Sequence, residues 1–247
     1  MTENPKEIEV NISDIYDRLQ PASMPTIKKE KAAAFKEISD DVNESRIRKV
    51  CTVVSGDIDY QRFLTFQTHP IAAAFKAFKN DSVIYTDTPL MRTAILERIS
   101  ELNEITLSDK PRGGFDAEVP ENKIILPIPK IICAAEHPKA AEFAKKYNVS
   151  KSMAGFMILK EDIQKSIIVI GKDGPALLGI CRMAERGTLP YLLIGFPAGI
   201  GTQKTAKEYL VKTTAVLPSI TMAQTKGGVE TAAACLTELM MIYEEGM

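Results

Sequence analysis

From residue 130 onward, short unbroken apolar runs alternate with stretches of helical character, and that alternation leaves few folds open. Residues 130–134, 166–170, 191–196 and 219–222 read as strands; 137–147, 150–160, 175–186, 202–212 and 229–245 read as helices. The strands are apolar at consecutive positions, as in Ile167-Ile168-Val169-Ile170, so both of their faces must be covered. Helices on both sides of a sheet meet that requirement, which predicts a three-layer α/β/α fold with a mainly parallel, doubly wound sheet. Upstream, 62–68, 70–78 and 82–86 read as one more β-α-β unit, with Asn80 and Asp81 as the turn before its second strand.

Two regions depart from this rhythm. The first fifty residues read as helix, since Ile12, Ile15, Tyr16 and Leu19 recur at helical spacing and 27–50 is rich in Ala, Lys and Glu. Residues 109–122 hold Pro111, Gly113, Gly114 and Pro120 among charges and read as an inserted surface loop. The whole chain, 1–247, is expected to form a single domain.

Charge narrows the partners. The 31 Lys plus Arg balance 32 Asp plus Glu for a net charge of −1, so no global field draws the chain to nucleic acid or to an anionic membrane. No apolar run is long enough to span a bilayer, and Met1-Thr2-Glu3-Asn4 does not read as a signal peptide, so the cytoplasm is expected. Cys51, Cys133, Cys181 and Cys235 lie far apart without C-x-x-C spacing, which suits reduced thiols better than disulfides or zinc.

In a doubly wound fold, ligands bind beyond the carboxyl ends of the strands. Here those junctions carry Gly171-Lys172-Asp173-Gly174, Gly195-Phe196-Pro197-Ala198-Gly199-Ile200-Gly201 and Gln224-Thr225-Lys226-Gly227-Gly228. Such glycines let a backbone approach a ligand with its N–H groups exposed, and the following helices point their positive ends at the same rim. Lys151, Lys172, Lys204, Lys207 and Lys226 add cations there. The pattern suits a multiply anionic ligand, and it equally suits tight α/β turns with solvated lysines. Gly199-Ile200-Gly201-Thr202-Gln203-Lys204 lacks the third glycine of a dinucleotide fingerprint, and no phosphate-loop motif occurs. His69 and His137 are remote from each other in sequence, and a capping or solvent-facing role suits His137 better than metal ligation.

At these same junctions the chain resembles the precorrin-8X methylmutase family. The likeness rests on Asp14-Ile15-Tyr16-Asp17-Arg18, residues 48–57 and 84–87, and a long stretch from residue 130 to the final helix. That stretch holds Ile131-Ile132-Cys133 with His137-Pro138, Val149-Ser150-Lys151-Ser152, Ile168-Val169-Ile170-Gly171 with Pro175-Ala176-Leu177, Gly195-Phe196-Pro197-Ala198-Gly199, and Lys226-Gly227-Gly228, in family order. The resemblance implies a cofactor-free, metal-free isomerase of cobalamin biosynthesis that moves a methyl group between neighbouring ring carbons of a corrinoid precursor. It also implies a homodimer with its sites near the subunit interface. The implied substrate-binding positions are Asp87, Lys151, Ser152, Gly171, Lys172, Gly195, Pro197, Gly199, Lys226, Gly227 and Gly228.

The family's proton donor is a histidine three residues beyond an arginine, and these positions fall on Cys51 and Arg48. An unperturbed thiol has a pKa about two units above that of imidazole and is the poorer acid near neutrality. Leu19 stands in place of a serine, Lys151 of an arginine and Lys172 of an asparagine. Three functions therefore stay in view: a methylmutase-like isomerase with Cys51 and Arg48 as catalytic residues, a non-catalytic corrinoid-binding protein, and an α/β enzyme acting on another carboxylated metabolite.

Overall fold

A computed structural model of the chain describes residues 41–107, 124–213 and 216–246. Most of the expected N-terminal helical part, including Leu19, and the expected loop 109–122 lie outside the described residues.

Helix α1 (Val42–Ser55) begins at Asp41, whose carboxylate accepts the Asn43 and Glu44 amides, and ends at Gly56 in the left-handed region. A short helix α2 (Asp59–Phe63) leads into β1 (Leu64–Gln67), and Thr68 and His69, both at positive φ, turn the chain into α3 (Pro70–Lys79). Then come β2 (Ile84–Thr86), α4 (Pro89–Leu107), β3 (Ile131–Cys133), a 3-10 turn (Ala134–Glu136), α5 (Ala140–Tyr147) and α6 (Lys151–Ile158). The chain closes with β4 (Ile167–Ile170), α7 (Gly174–Glu185), β5 (Leu192–Gly195), α8 (Thr202–Thr213), β6 (Ser219–Met222) and α9 (Val229–Glu245). Among the described residues, no helix is long and apolar enough to cross a membrane.

The strands form one six-stranded sheet in the order β1-β6-β5-β4-β2-β3. Neighbours are parallel except at one edge, where β1 runs antiparallel to β6 with Leu64 opposite Met222. This corrects the expected β-α-β unit around α3, because β1 and β2 are neither adjacent nor parallel. Alternation of strand and helix along a chain fixes the order of the elements and leaves the pairing of the strands open.

Strand periodicity sorts the sheet into two cores. Ile167, Val169, Leu192 and Ile194 face one core, closed by α1, α3, α4 and α9; Ile168, Ile170 and Leu193 face the other, closed by α6, α7 and α8. Helix α9 sits deepest, with Leu236 and Leu239 fully buried. Truncating either to alanine removes packing worth about 2–5 kcal/mol. Helix α4, a 19-residue element that buries Met91, Ala94, Ile95 and Ile99, occupies a stretch to which the sequence patterns assign nothing.

Candidate active site

Strands β2 to β6 run the same way, so the turns at their carboxyl ends share one rim. Backbone bonds stitch those turns together: the Phe196 amide reaches Ile170 O at 2.8 Å, the Gly228 amide reaches Phe196 O at 2.6 Å, and the Gly199 amide reaches Thr225 O at 2.8 Å. Crowding explains the glycines. A Cβ on Gly171 would stand 2.7 Å from Met91 Sδ, and one on Gly227, at φ 149°, would stand 2.1 Å from Phe196 O.

The turn after β4 is organised from below by an acid. Asp87, at the end of β2 and fully buried, accepts the amides of Gly171 (3.4 Å), Lys172 (2.9 Å) and Asp173 (2.8 Å). Burial raises its pKa against the opposing pull of those three amides. The sequence pattern suggests that the glycine turn offers its N–H groups to a ligand; the structure turns these three inward onto Asp87. What remains outward is the exposed side chain of Lys172, which has no ion pair among the described residues.

The turn after β6 is organised from below by donors. The Lys226 carbonyl accepts from Lys207 Nζ, the Gly227 carbonyl from Tyr60 Oη at 3.2 Å, and the Gly228 carbonyl from Thr231 Oγ1 at 3.2 Å. With the Gly199 amide on Thr225 O, every carbonyl from residue 225 to 228 is tied into the protein. Lys207 of α8 is fully buried, and burial pulls its pKa down to about 8. Burial also pushes the Tyr60 hydroxyl up.

Lys226 is not a free cation. Its ammonium is clamped between the carboxylates of Asp57, at 2.5 Å, and Asp59, both in the passage from α1 to α2. The Asp57 bond holds the lysine above its ordinary value, and the lysine in turn holds Asp57 below its own.

The two residues marked for catalysis are buried. Cys51 is fully buried, and its Sγ donates to Thr231 O at 3.7 Å. Cys235 comes one turn later on α9, where burial and the adjoining Cys51 hold its thiol well above the usual range. Arg48 Nη1 donates to Gln61 O at 3.0 Å and Leu64 O at 2.6 Å, and its guanidinium lies 4.9 Å from the centre of the Phe66 ring. That arginine ties α1 to the start of β1, and desolvation lowers its pKa.

The residues singled out from sequence thus separate into two groups. Arg48, Cys51, Asp87, Ser152, Gly171, Gly195 and Pro197 are buried and form the support of the rim; Lys151 and Lys172 are exposed, and Gly199, Lys226, Gly227 and Gly228 lie between these extremes. Asp59, Tyr60 and Thr231 belong to the same network and carry no sequence signal, since the bonds that bring Asp59 to Lys226 and Tyr60 to Gly227 and Thr231 span 167 or more residues along the chain. The ring nitrogen of His137 accepts the Lys139 amide at 3.3 Å, as a turn cap does.

Known proteins share this architecture. The family model described as precorrin-8X methylmutase matches residues 19–111 and 126–242. A cobalt-precorrin-8 methylmutase from Methanocaldococcus jannaschii is 25% identical over 204 residues, covering 81% of each chain. A solved structure described as a precorrin-8X methylmutase related protein superposes with a TM-score of 0.66 at 21% identity, over 86% of this chain and 99% of that one. The precorrin-8x methyl mutase of Thermus thermophilus gives 0.65 at 17% identity, over 90% of this chain and 98% of its own.

Proposed function

Because the chain belongs to the precorrin-8X methylmutase family, a family of cobalamin biosynthesis, we propose that it is an isomerase that moves a methyl group between neighbouring ring carbons of a carboxylate-rich corrinoid precursor. The observation that carries this reading is the spacing of cations along the rim. Lys226 lies just beyond β6, Lys172 just beyond β4, and Lys151 opens the helix packed beside the end of β3. At about 4.8 Å per strand, the four steps from β6 to β3 amount to roughly 19 Å. With Lys226 already paired by Asp57 and Asp59, Lys172 and Lys151 stand two of those steps, roughly 10 Å, apart, and cations so separated suit carboxylates distributed around a large flat ring better than one small anion.

In this reading Lys151 and Lys172 pair with ring carboxylates, Lys226 with Gly227 and Gly228 contacts one end of the ring, and Gly195, Pro197 and Gly199 form the wall between. Asp87, Gly171 and Ser152 act from beneath by fixing the turns. Methyl migration conserves every atom of the substrate; the protein has only to place the ring, exclude water, and give and recover a proton. Cys51 occupies the position of the family's proton donor, yet its thiol is packed against Thr231, and Arg48 pairs with Glu44 and with the backbone carbonyls of Gln61 and Leu64. We assign both residues to the packing that supports the rim. The same reading makes the protein a cytoplasmic homodimer.

The test is to incubate the protein with precorrin-8X and with its cobalt form while recording absorption and product mass. Continuing conversion to a new chromophore of unchanged mass is expected. A spectral shift that saturates at stoichiometric protein would overturn the enzymatic reading in favour of binding alone.

A further inference from the structure

Helices α6 and α7 lie side by side against the core away from α9, and a groove of about 710 Å³ runs between them. Its floor is made of half-buried apolar side chains, Met153 and Met157 from α6 with Leu178 and Met183 from α7. Gly179 lets the floor form: Met153 Sδ lies across it, 2.0 Å from where a Cβ would stand.

The walls carry one sign of charge. Among the described residues, Lys160, Arg182 and Arg186 line the groove and no carboxylate does, although acids slightly outnumber bases in the chain as a whole. None of the three cations has an ion pair among the described residues. Glu185, the one acid of α7, accepts from the Tyr209 hydroxyl at 2.7 Å. The lining face of α7 runs from Pro175 to Arg186, a length of about 16 Å at 1.5 Å per residue. One end opens beside the starts of α6, α7 and α8, at Ser150, Pro175 and Thr202, next to the rim.

We propose that this groove is a second ligand site, which takes a flat apolar ring system bearing carboxylates. The ring lies on the thioethers and Leu178, since methionine adapts its shape to a flat partner and its sulfur favours aromatic contact. The carboxylates pair with Lys160, Arg182 and Arg186 through charge-assisted bonds. Beside the rim, the site holds such a molecule before or after it occupies the active site. The proposal rests on the corrinoid reading only in the choice of ring.

The probe is uroporphyrin, a tetrapyrrole with eight carboxylates, titrated into the full-length protein carrying 13C-methyl methionine. The expected result is that the Met153, Met157 and Met183 signals shift, while those of Met240 and Met241 in the opposite core stay in place. Arg182→Ser combined with Arg186→Ser raises the Kd at least tenfold, and Lys151→Met combined with Lys172→Met leaves the groove signals responsive. Silent groove methionines, or an unchanged Kd in the arginine double variant, would overturn the proposal. So would sedimentation showing that the arginine double variant converts a dimer to monomers while porphyrin leaves the groove unmoved, because the groove would then be an interface between copies. Methyl migration by a protein whose groove stays silent defeats the groove and spares the isomerase reading; groove binding without migration does the reverse.

Discussion

The turns after β4 and β6 stand two strands apart on the same rim, both rich in glycine and both carrying a lysine, yet they are built with opposite polarity. Under the first lies an acceptor, Asp87, which collects three amides; under the second lie donors, Lys207, Tyr60 and Thr231, which collect carbonyls. The first turn therefore leaves a side chain, that of Lys172, to face outward. The second has its carbonyls tied into the protein, and its own lysine is already neutralised by Asp57 and Asp59. A glycine-rich turn is thus not in itself an anion site; the buried partner beneath it decides which backbone groups are left to face outward.

The largest effect is expected beneath the first turn. Asp87→Ala leaves buried amides without an acceptor and should cost about 3 kcal/mol in denaturant unfolding, whereas Tyr60→Phe, removing one donor beneath the second, should cost about 1 kcal/mol. Equal losses would break the contrast between the turns.

Lys207→Met should act in the opposite direction. A native pKa of about 8 against an ordinary 10.5 corresponds to a burial penalty of roughly 3 kcal/mol while the lysine is charged. Above pH 8 the native state releases that proton and the unfolded chain does not, so wild-type stability rises between pH 8 and 10.5. After loss of the bond to Lys226 O, the methionine variant should be about 1–2 kcal/mol more stable at pH 7, with the advantage shrinking above pH 8. Thermal unfolding across that range measures it.

Ligand affinity sharpens the contrast at the surface. Lys172→Met should weaken corrinoid binding by about 1–2 kcal/mol, and Lys226→Met by clearly less, because Lys226 enters binding already paired. Calorimetric titration separates the two, and equal losses would mean that the aspartate clamp opens for the ligand.

Acid should also separate them. Asp57 has a lowered pKa, so the stability it lends is present above its unfolded value and is lost as pH falls through its folded one; Asp87 has a raised pKa and loses nothing on protonation. As pH falls below about 4, hydrogen exchange should therefore quicken around residues 226–228 before residues 171–173. The smallest effect is assigned to Cys51→Ala, which should leave turnover within about twofold of wild type. Loss of turnover would return that thiol to catalysis.

Each feature was legible in the sequence to the extent that it depends on local pattern. Strands β4, β5 and β6 were readable because burial on both faces leaves an unbroken apolar run, as in Ile167 to Ile170. Helix α4 was not, since Leu90, Leu96, Ile105 and Leu107 are exposed and spread apolar residues around the helix, which obscures the buried stripe of Met91, Ile95 and Ile99. The edge position of β1 depends on pairing with β6, more than 150 residues away, and no local pattern encodes it. At the rim the residue types were visible, but their orientation was not: Asp87 and the turn it holds are 84 to 86 residues apart.

The most direct measurement of the central claim uses precorrin-8X labelled with 13C in the migrating methyl and protein at one hundredth of the substrate concentration, monitored by NMR. If the chain is the isomerase inferred from its family and its rim, the methyl resonance of the whole substrate pool moves to that of the neighbouring ring carbon, over many turnovers per chain. A resonance that stays in place, with only a fraction of the substrate broadened in proportion to the protein present, would show a binding protein and contradict the account.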